Sequence, residues 1–174
     1  ETVPIVPVFN NYYVQLFAFT RFTMHVSFPD GSNPTTQRVS ILRAAMLCDA
    51  RPGMQIADVC AGAGGKSLVM AANMQNKGRI LALDPNIKRL EQCGKRLRQA
   101  GIHNVERKLM AEKWSNRSWR GKFDRVVIDA PCSGSGTWRR QVDARWRLNA
   151  DQLNQIKQVQ PILLEKARVM VVPG

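Results

Sequence analysis

Short apolar runs alternate with longer amphipathic segments along the middle of the chain. Ile56 to Cys60 and Arg79 to Asp84 are apolar runs of the length and residue type typical of buried strands. Two helical segments are predicted after these strands, one from Lys66 to about Asn76 and one that starts at Pro85 or Asn86 and runs to about Ala100, where Gly101 is a stop signal. The pattern therefore predicts two consecutive strand–helix units.

The second half of the chain continues in the same way. Val105 to Leu109 and the run from Phe123 to Ile128 are two further predicted strands. Asn149 or Asp151 is suited to cap a long helix, in which Pro161 is expected to produce a kink because proline has no N–H group. Alternation of strands and helices predicts an α/β fold with a doubly wound, mostly parallel sheet.

Residues 1–34 differ in character from the rest of the chain. Five of the six Phe and both Tyr lie within the first 28 positions, and apolar and polar residues alternate from Phe22 to Phe28. A period of two indicates a half-buried strand, and its aromatic residues serve either packing or stacking on nucleic-acid bases. We therefore expect a small aromatic-rich β element at residues 1–34 and a core domain at residues 35–174, which opens with a helix over Thr36 to Asp49.

Charge and cysteine content narrow the function classes. The chain has 26 Lys and Arg against 13 acidic residues, a net charge of +13, which favours RNA or DNA as partner over an indifferent basic surface. No run approaches the roughly 18 apolar residues of a spanning helix, and no signal-peptide pattern opens the chain. We therefore expect a soluble, cytoplasmic protein. For the oligomeric state, a monomer is favoured. The cysteines lack paired metal-ligand spacing, which predicts free thiols and no metal site.

A glycine-rich loop, Ala61-Gly62-Ala63-Gly64-Gly65, separates the first of these strands from its helix. Backbone amides at such a turn and at the start of a helix can hold an anionic group. Gly65-Lys66-Ser67 matches the end of a phosphate-binding P-loop, but Cys60 stands where its first glycine belongs. A dinucleotide fingerprint requires glycine at position 67, which is Ser67.

These mismatches favour a nucleoside cofactor without a pyrophosphate, and S-adenosylmethionine fits that description. Asp84, at the end of the second strand, is placed to accept hydrogen bonds from ribose hydroxyls. By its position before Pro85 it is equally suited to cap the next helix.

A second motif follows the strand that ends at Ile128. Its sequence is Asp129-Ala130-Pro131-Cys132-Ser133-Gly134-Ser135-Gly136-Thr137-Trp138-Arg139-Arg140. It joins a carboxylate, a thiol, a glycine-rich turn and a basic pair at the end of a buried strand, which is where open α/β sheets bind their ligands. The motif therefore predicts part of an active site.

Together, Asp58-Val59-Cys60-Ala61-Gly62-Ala63-Gly64-Gly65-Lys66-Ser67 and the second motif resemble the cofactor and proline-cysteine motifs of RNA (cytosine-carbon-5) methyltransferases of the Fmu/Sun type, which modify ribosomal RNA. The resemblance extends from about Arg51 to Gly174. The segment before Arg51 lacks the Gln-Asp signature usual in the family, and Gly62-Ala63 replaces the Ala-Pro of many members. The resemblance implies a Rossmann-like S-adenosylmethionine-dependent methyltransferase fold, incomplete at the C-terminus.

The resemblance also implies residue roles. Asp84 is expected to hold the ribose, Glu112 to lie near the adenine, and Asp129 to lie between cofactor and target base. The full implied cofactor site is Cys60, Ala61, Gly62, Ala63, Gly64, Gly65, Lys66, Asp84, Glu112 and Asp129.

Methylation of cytosine at carbon 5 requires covalent activation, because that carbon is a poor nucleophile until a thiolate adds to carbon 6. Asp129 and Cys132 are the candidate catalytic residues, and Asp129 is suited to accept from the cytosine amino group. By the resemblance, Cys132 assists release, while the attacking cysteine belongs to a Thr-Cys-Ser motif expected beyond Gly174. In the related DNA enzymes a proline-cysteine thiol itself attacks, so Cys132 as nucleophile stays an alternative.

Arginines beside the second motif are the candidate phosphate contacts, namely Arg139, Arg140, Arg145 and Arg147, with Trp138 or Trp146 as possible stacking platforms. A basic run from Lys88 to Arg98 is interpreted as a solvated helix surface. Two alternatives to an RNA methyltransferase stay open: an RNA-binding protein that keeps the fold without catalysis, and a P-loop-like nucleotide-binding protein.

Overall fold

A seven-stranded sheet organises the part of the chain that the computed structural model describes, namely residues 6–7, 13–17, 23–27, 45–111, 117–133, 143, 146 and 148–172. In chain order the strands are β1 Val6–Pro7, β2 Tyr13–Phe17, β3 Thr23–Ser27, β4 Gln55–Val59, β5 Arg79–Asp84, β6 Val105–Leu109 and β7 Arg125–Ile128.

Three helices accompany these strands. They are α1 Gly65–Asn73, α2 Ile87–Gln99 and α3 Ala150–Arg168. A short 3-10 helix covers Arg117–Trp119, and residues 45–47 are helical at the end of the segment for which a helix is predicted. None of the described helices is long and apolar enough to cross a membrane.

The strands lie side by side in the order β1-β2-β3-β7-β4-β5-β6. β3, β7, β4, β5 and β6 run parallel, whereas β2 runs antiparallel to both β1 and β3. From β4 the chain proceeds outward through β5 to β6, and it then returns to the other side of β4 as β7. The order of the strands therefore reverses between β4 and β7, which is where ligands bind in open α/β sheets.

Two apolar layers cover the two faces of the sheet, because successive strand residues point to opposite sides. On one face the sheet packs against α3, and this layer contains Ala57, Val59, Leu81, Leu83, Phe123, Val126, Ile128, Ala130, Leu163, Ala167 and Met170. On the other face it packs against α1 and residues 45–50, with Ala45, Cys48, Ala50, Ile56, Met70, Ala71, Met74, Ile80 and Val127. The doubly wound α/β prediction is confirmed.

The helix ends follow the capping signals in the sequence. The Asn86 side chain accepts a hydrogen bond from the backbone N–H of Arg89 at 3.2 Å and caps α2. At the other end, Gly101 has a φ of 64°, and the N–H of Ile102 donates to the carbonyl of Leu97 at 2.9 Å, as in a Schellman motif. Asn149 forms a capping box at the start of α3.

α3 continues through the predicted kink site, Pro161, to Arg168. Of residues 1–34, the structure describes only the backbone of β1, β2 and β3, and β3 pairs with β7. The division of the chain into residues 1–34 and 35–174 stays a prediction.

Two glycines at turns next to the sheet provide a test of the fold. A Cβ at Gly78, where φ is +91°, would lie 2.3 Å from the carbonyl oxygen of Met54, whereas a Cβ at Gly101 would meet nothing within 4 Å. Both Ala variants incur the left-handed penalty of about 1 kcal/mol. Gly78→Ala also forces the added Cβ against the backbone, which costs about 1–3 kcal/mol more. We therefore expect urea unfolding to give a free energy of unfolding lower by that amount for Gly78→Ala than for Gly101→Ala. Equal losses of free energy of unfolding in the two variants would contradict the close contact between Gly78 and Met54.

Candidate active site

The two sequence motifs meet at one edge of the sheet. β4 and β7 are neighbouring parallel strands with Val59 opposite Ile128, and the N–H of Asp129 donates to the carbonyl of Val59 at 3.1 Å. The Lys66 ammonium lies 2.6 Å from an Asp129 carboxylate oxygen. The glycine loop and the proline-cysteine segment therefore open on the same side, as a transfer between their ligands requires.

The glycine loop makes a tight turn between β4 and α1. Cys60, Gly62 and Gly64 have φ values of 62°, 59° and 79°, in the left-handed region. The N–H of Ala61 donates to the carbonyl of Leu83 at 2.9 Å and ties the loop to β5. Because the first turn of a helix leaves its N–H groups without partners inside the helix, the start of α1 at the end of this loop is suited to an anionic group.

Gly64 is required where it lies. A Cβ at this position would approach the Sγ of Cys93, on α2, to 2.4 Å. Cys93 is fully buried, so the turn and α2 are packed too closely for a side chain between them.

Asp84 joins the two loops that follow β4 and β5. Its side chain is 1% exposed, and its two oxygens accept from the N–H groups of Gly62 and Asn86, both at 2.8 Å. Asn86, not Asp84, is the cap of α2. A carboxylate oxygen has two acceptor positions, so Asp84 can fix the loop and still accept from a ribose hydroxyl, a role that stays a prediction.

Lys66 is a buried cation between two carboxyl groups. Burial alone would lower the pKa of Lys66, but Asp58 and Asp129 outweigh burial and raise the pKa, which keeps the ammonium charged. Asp58 lies within β4 and is fully buried. Burial raises the pKa of Asp58, against the opposing effect of Lys66 and of the Ser67 hydroxyl, which donates to Asp58 at 2.6 Å. In the described chain the second Asp58 oxygen has no hydrogen-bond partner.

This arrangement does not favour the P-loop alternative. In a P-loop the lysine reaches phosphate and the following hydroxyl binds magnesium. Here the Lys66 ammonium pairs with Asp129, and Ser67 is fully buried with its hydroxyl bonded to Asp58. Neither side chain is free for a triphosphate.

The four cysteines are free thiols in different surroundings. Cys60 is half-buried in the glycine loop, and burial, followed by Asp84 and Asp129, raises its pKa to about 12. Burial likewise raises the pKa of Cys48 to about 12 and raises that of Cys93. Cys132 is exposed at the end of β7. Since a protonated thiol is a poor nucleophile, Cys60 is not suited to attack a base.

The segment that carries Cys132 is anchored at its start. Ala130 is buried in the apolar layer beneath α3, and the Gln160 side chain on α3 donates to the carbonyl of Pro131 at 2.8 Å. Asp129 keeps a side chain 52% exposed. Carboxylate and thiol are therefore presented at the sheet edge by a fixed backbone.

Several predicted residues lie outside the described part of the chain. They are Gly134 to Arg140 of the second motif, with the basic pair and Trp138, and also Glu112, Arg145 and Arg147. Trp146 is described and is 79% exposed. The roles given to these residues stay predictions. Over the described ranges, no group of three His, Cys, Asp or Glu side chains is placed to hold a metal ion.

Two residues of the site were missed by the sequence analysis. Asp58 had a signal, because a carboxyl group inside an otherwise apolar strand requires a polar partner, which Ser67 supplies. Arg96 had none. Its guanidinium donates to the carbonyl of Ala63 at 2.9 Å and so holds the glycine loop from α2.

Comparison with known families gives a match over most of the chain. The model of the family described as 16S rRNA methyltransferase RsmB/F matches residues 45–174. Ribosomal RNA small subunit methyltransferase F of Cronobacter sakazakii is 33% identical over 133 residues, which are 75% of this chain and 27% of that protein. Ribosomal RNA small subunit methyltransferase B of Yersinia pseudotuberculosis is 32% identical over 135 residues, 75% of this chain and 30% of that protein. The chain thus spans less than a third of the length of these relatives.

Solved structures agree with this match. The crystal structure of PH0851 superposes with a TM-score of 0.74 at 28% identity, covering 92% of this chain and 39% of that one. A methyltransferase homolog protein from Pyrococcus horikoshii gives a TM-score of 0.65 at 27% identity, covering 92% and 54%. The predicted Rossmann-like methyltransferase fold is confirmed.

We expect Gly64→Ala to weaken S-adenosylmethionine binding about tenfold, because overpacking at the Cys93 thiol costs about 1–3 kcal/mol. Calorimetric titration measures this change. Gly101→Ala is the matched control, since Gly101 also has a left-handed φ, with nothing within 4 Å of the added Cβ, and lies after the C-terminal end of α2, outside the glycine loop. Adding Cys93→Ala to Gly64→Ala should restore part of the affinity. A double variant no better than Gly64→Ala would contradict the packing.

Cysteine accessibility gives a second test. At pH 8 we expect iodoacetamide to modify Cys132 first in the folded protein, because Cys48 and Cys93 are buried and Cys60 is half-buried with a pKa of about 12. Peptide mass spectrometry locates the label, and Cys132→Ser should remove the fast phase. Fast labelling of Cys60 in that variant would contradict the loop geometry.

Proposed function

The chain belongs to the 16S rRNA methyltransferase RsmB/F family, and from this premise we propose that its protein transfers a methyl group from S-adenosylmethionine to carbon 5 of a cytosine in ribosomal RNA. The family match confirms S-adenosylmethionine as the cofactor. The observation that carries the proposal is the ion pair between Lys66, in the first turn of α1 directly after the glycine loop, and Asp129 of the proline-cysteine segment. It brings a cofactor-binding loop and a base-activating segment to one edge of the sheet.

The residues of the loop fit this cofactor. S-adenosylmethionine supplies a methyl group on a positively charged sulfur. The amides at the start of α1 suit its carboxylate, and Asp84 has acceptor positions for ribose hydroxyls beside the loop that it fixes. Half-buried Gly62 and Ala63 leave the loop open to a ligand.

Asp129 is suited to recognise and activate the base. Its exposed carboxylate has acceptor positions left beside the Lys66 bond, and the cytosine amino group is a donor. Lys66 holds the carboxylate in place through the 2.6 Å ion pair, so the group is oriented before the base arrives. Orientation in advance is the largest contribution that such a group makes to a transition state.

The covalent step uses a cysteine thiolate. Addition of the thiolate to carbon 6 makes carbon 5 nucleophilic. Carbon 5 would then take the methyl group as the bond between that methyl and the cofactor sulfur breaks, with S-adenosylhomocysteine as the leaving group. A base afterwards removes the proton from carbon 5, and the sulfur–carbon 6 bond breaks, which returns the thiolate and leaves 5-methylcytosine. We assign Cys132 to the release of the product, and attack by Cys132 is the alternative that the experiment below separates.

Ribosomal RNA as substrate is supported by charge as well as by the relatives. The net charge of +13 suits a polyanion, and Arg139, Arg140, Arg145 and Arg147 are the proposed phosphate contacts beside the active-site segment.

Incubation of the protein with isotope-labelled S-adenosylmethionine and small-subunit ribosomal RNA should yield labelled 5-methylcytosine on nucleoside mass spectrometry. We expect Asp129→Asn to lower kcat about a hundredfold or more, because it removes the charged acceptor from the base. Cys48→Ala, a buried thiol away from the site, is the control. RNA binding without methyl transfer would favour the non-catalytic alternative, and methylation of another atom would contradict the cytosine assignment.

Cys132→Ala distinguishes the two cysteine roles. If Cys132 assists release, the variant should accumulate a covalent protein–RNA adduct that is visible as a shifted band on a denaturing gel. If Cys132 attacks, the variant should form neither adduct nor product.

A further inference from the structure

The outer face of α2 carries an unusual concentration of positive charge. Its 13 residues include one carboxylate, Glu91, and five cations, all exposed: Lys88, Arg89, Lys95, Arg96 and Arg98. The buried side of the helix is formed by Leu90, Cys93, Gly94 and Leu97.

The cations of α2 lie in two rows. Residues seven apart share nearly the same face and are about 10 Å apart along the axis, which pairs Lys88 with Lys95 and Arg89 with Arg96. Arg96 bonds the carbonyl of Ala63, so the second row lies on the flank of α2 that faces the glycine loop. α2 begins three residues after Asp84, so Lys88 and Arg89 lie near the edge of the sheet where the two motifs meet.

Arg96 holds the glycine loop, whereas ion pairs among the described residues do not account for the charge of the other four cations. Within the described ranges, no carboxylate forms an ion pair with the side chain of Lys88, Arg89, Lys95 or Arg98. Lys95 and Arg98 are three positions apart, a spacing at which like charges repel on a helix. Such repulsion is relieved when a polyanion neutralises the face.

We propose that the basic face of α2, defined by Lys88, Arg89, Lys95, Arg96 and Arg98, binds RNA phosphates on one side of the target nucleotide. The proposal rests on the proposed function, since it takes ribosomal RNA as the substrate. RNA is the occupant that the observations favour: the face is wholly basic apart from Glu91, it flanks the cofactor loop, and the whole chain carries +13. It gives the substrate a second contact region, apart from the arginines that follow Cys132.

Substitution of Lys88, Arg89 and Lys95 by Ala tests this face. Arg96 is left intact because it holds the glycine loop. The matched control replaces Lys77, Arg120 and Lys122 by Ala: it removes the same three charges from exposed positions, and Lys77 and Lys122 precede β5 and β7 at the opposite edge of the sheet. Unchanged S-adenosylmethionine binding by calorimetry shows that both variants are folded.

Affinity for a transcript of small-subunit ribosomal RNA is then measured between about 50 and 200 mM salt, where phosphate contacts have their largest effect. We expect the α2 variant to bind about tenfold more weakly at low salt, with the slope of log affinity against log salt reduced by roughly two to three. The control variant should bind as the wild-type protein does.

Equal losses in the two triple variants would show an effect of net charge alone and overturn the proposal. An α2 variant that binds RNA normally but loses affinity for polyglutamate would assign the face to an acidic protein and also overturn it. Methyl transfer is measured separately from RNA affinity. If the α2 variant binds RNA normally and still forms 5-methylcytosine, the proposed role of the α2 face is wrong and the methyltransferase function stands. If the α2 substitutions weaken RNA binding but the wild-type protein forms no 5-methylcytosine, only the methyltransferase function is wrong.

Discussion

The ammonium group of Lys66, buried between Asp58 and Asp129, is the interaction on which the site depends. Removing charges from water is costly, and the cost is recovered only when partners are close and well oriented. Here Asp129, at the tip of β7, forms the ion pair with Lys66, while Asp58, inside β4, acts on Lys66 through its charge, so the cation ties the start of α1 to the end of β7. The loop that precedes Lys66 is fixed in turn by Asp84, by Arg96 and by the close contact of Gly64 with Cys93.

The same part of the fold separates buried polar groups from exposed ones. Asp58 and Ser67 are fully buried and serve the position of Lys66, while Asp129 and Cys132 remain exposed on a backbone anchored to α3. Cys60 has the high pKa of a half-buried thiol beside carboxylates, whereas Cys132 lies in the open. The sequence motifs predict that both cysteines lie at the cofactor site, and their surroundings distinguish the half-buried thiol from the exposed one.

Local pattern predicted most of the fold. β5 and β6 have the predicted bounds and Asn149 caps α3 as predicted, because buried runs and caps depend on neighbouring residues. The cap of α2 is Asn86, two residues after Asp84, the candidate that the sequence offered. The Lys66–Asp129 pair joins positions 63 residues apart, and the bond from Arg96 to Ala63 depends on the rotation of α2 against the loop. Neither is encoded in a local pattern. Asp84 combines a local and a long-range feature. Its place at the end of β5 was predicted from the sequence, whereas the hydrogen bond that it accepts from the N–H of Gly62 was not.

The position of β7 in the sheet has a consequence for the order in which the protein assembles. β4, β5 and β6 are neighbours in sequence as well as in space, whereas β7 inserts beside β4 after an excursion of about 69 residues, the separation of Gln55 and Asp124, which are joined by a hydrogen bond. Contacts of such long range form slowly, and during synthesis the residues of β7 leave the ribosome last of these strands. A nascent chain therefore contains Lys66 and Asp58 before Asp129 has been synthesised. The Lys66–Asp129 ion pair forms only after β7 has joined β4.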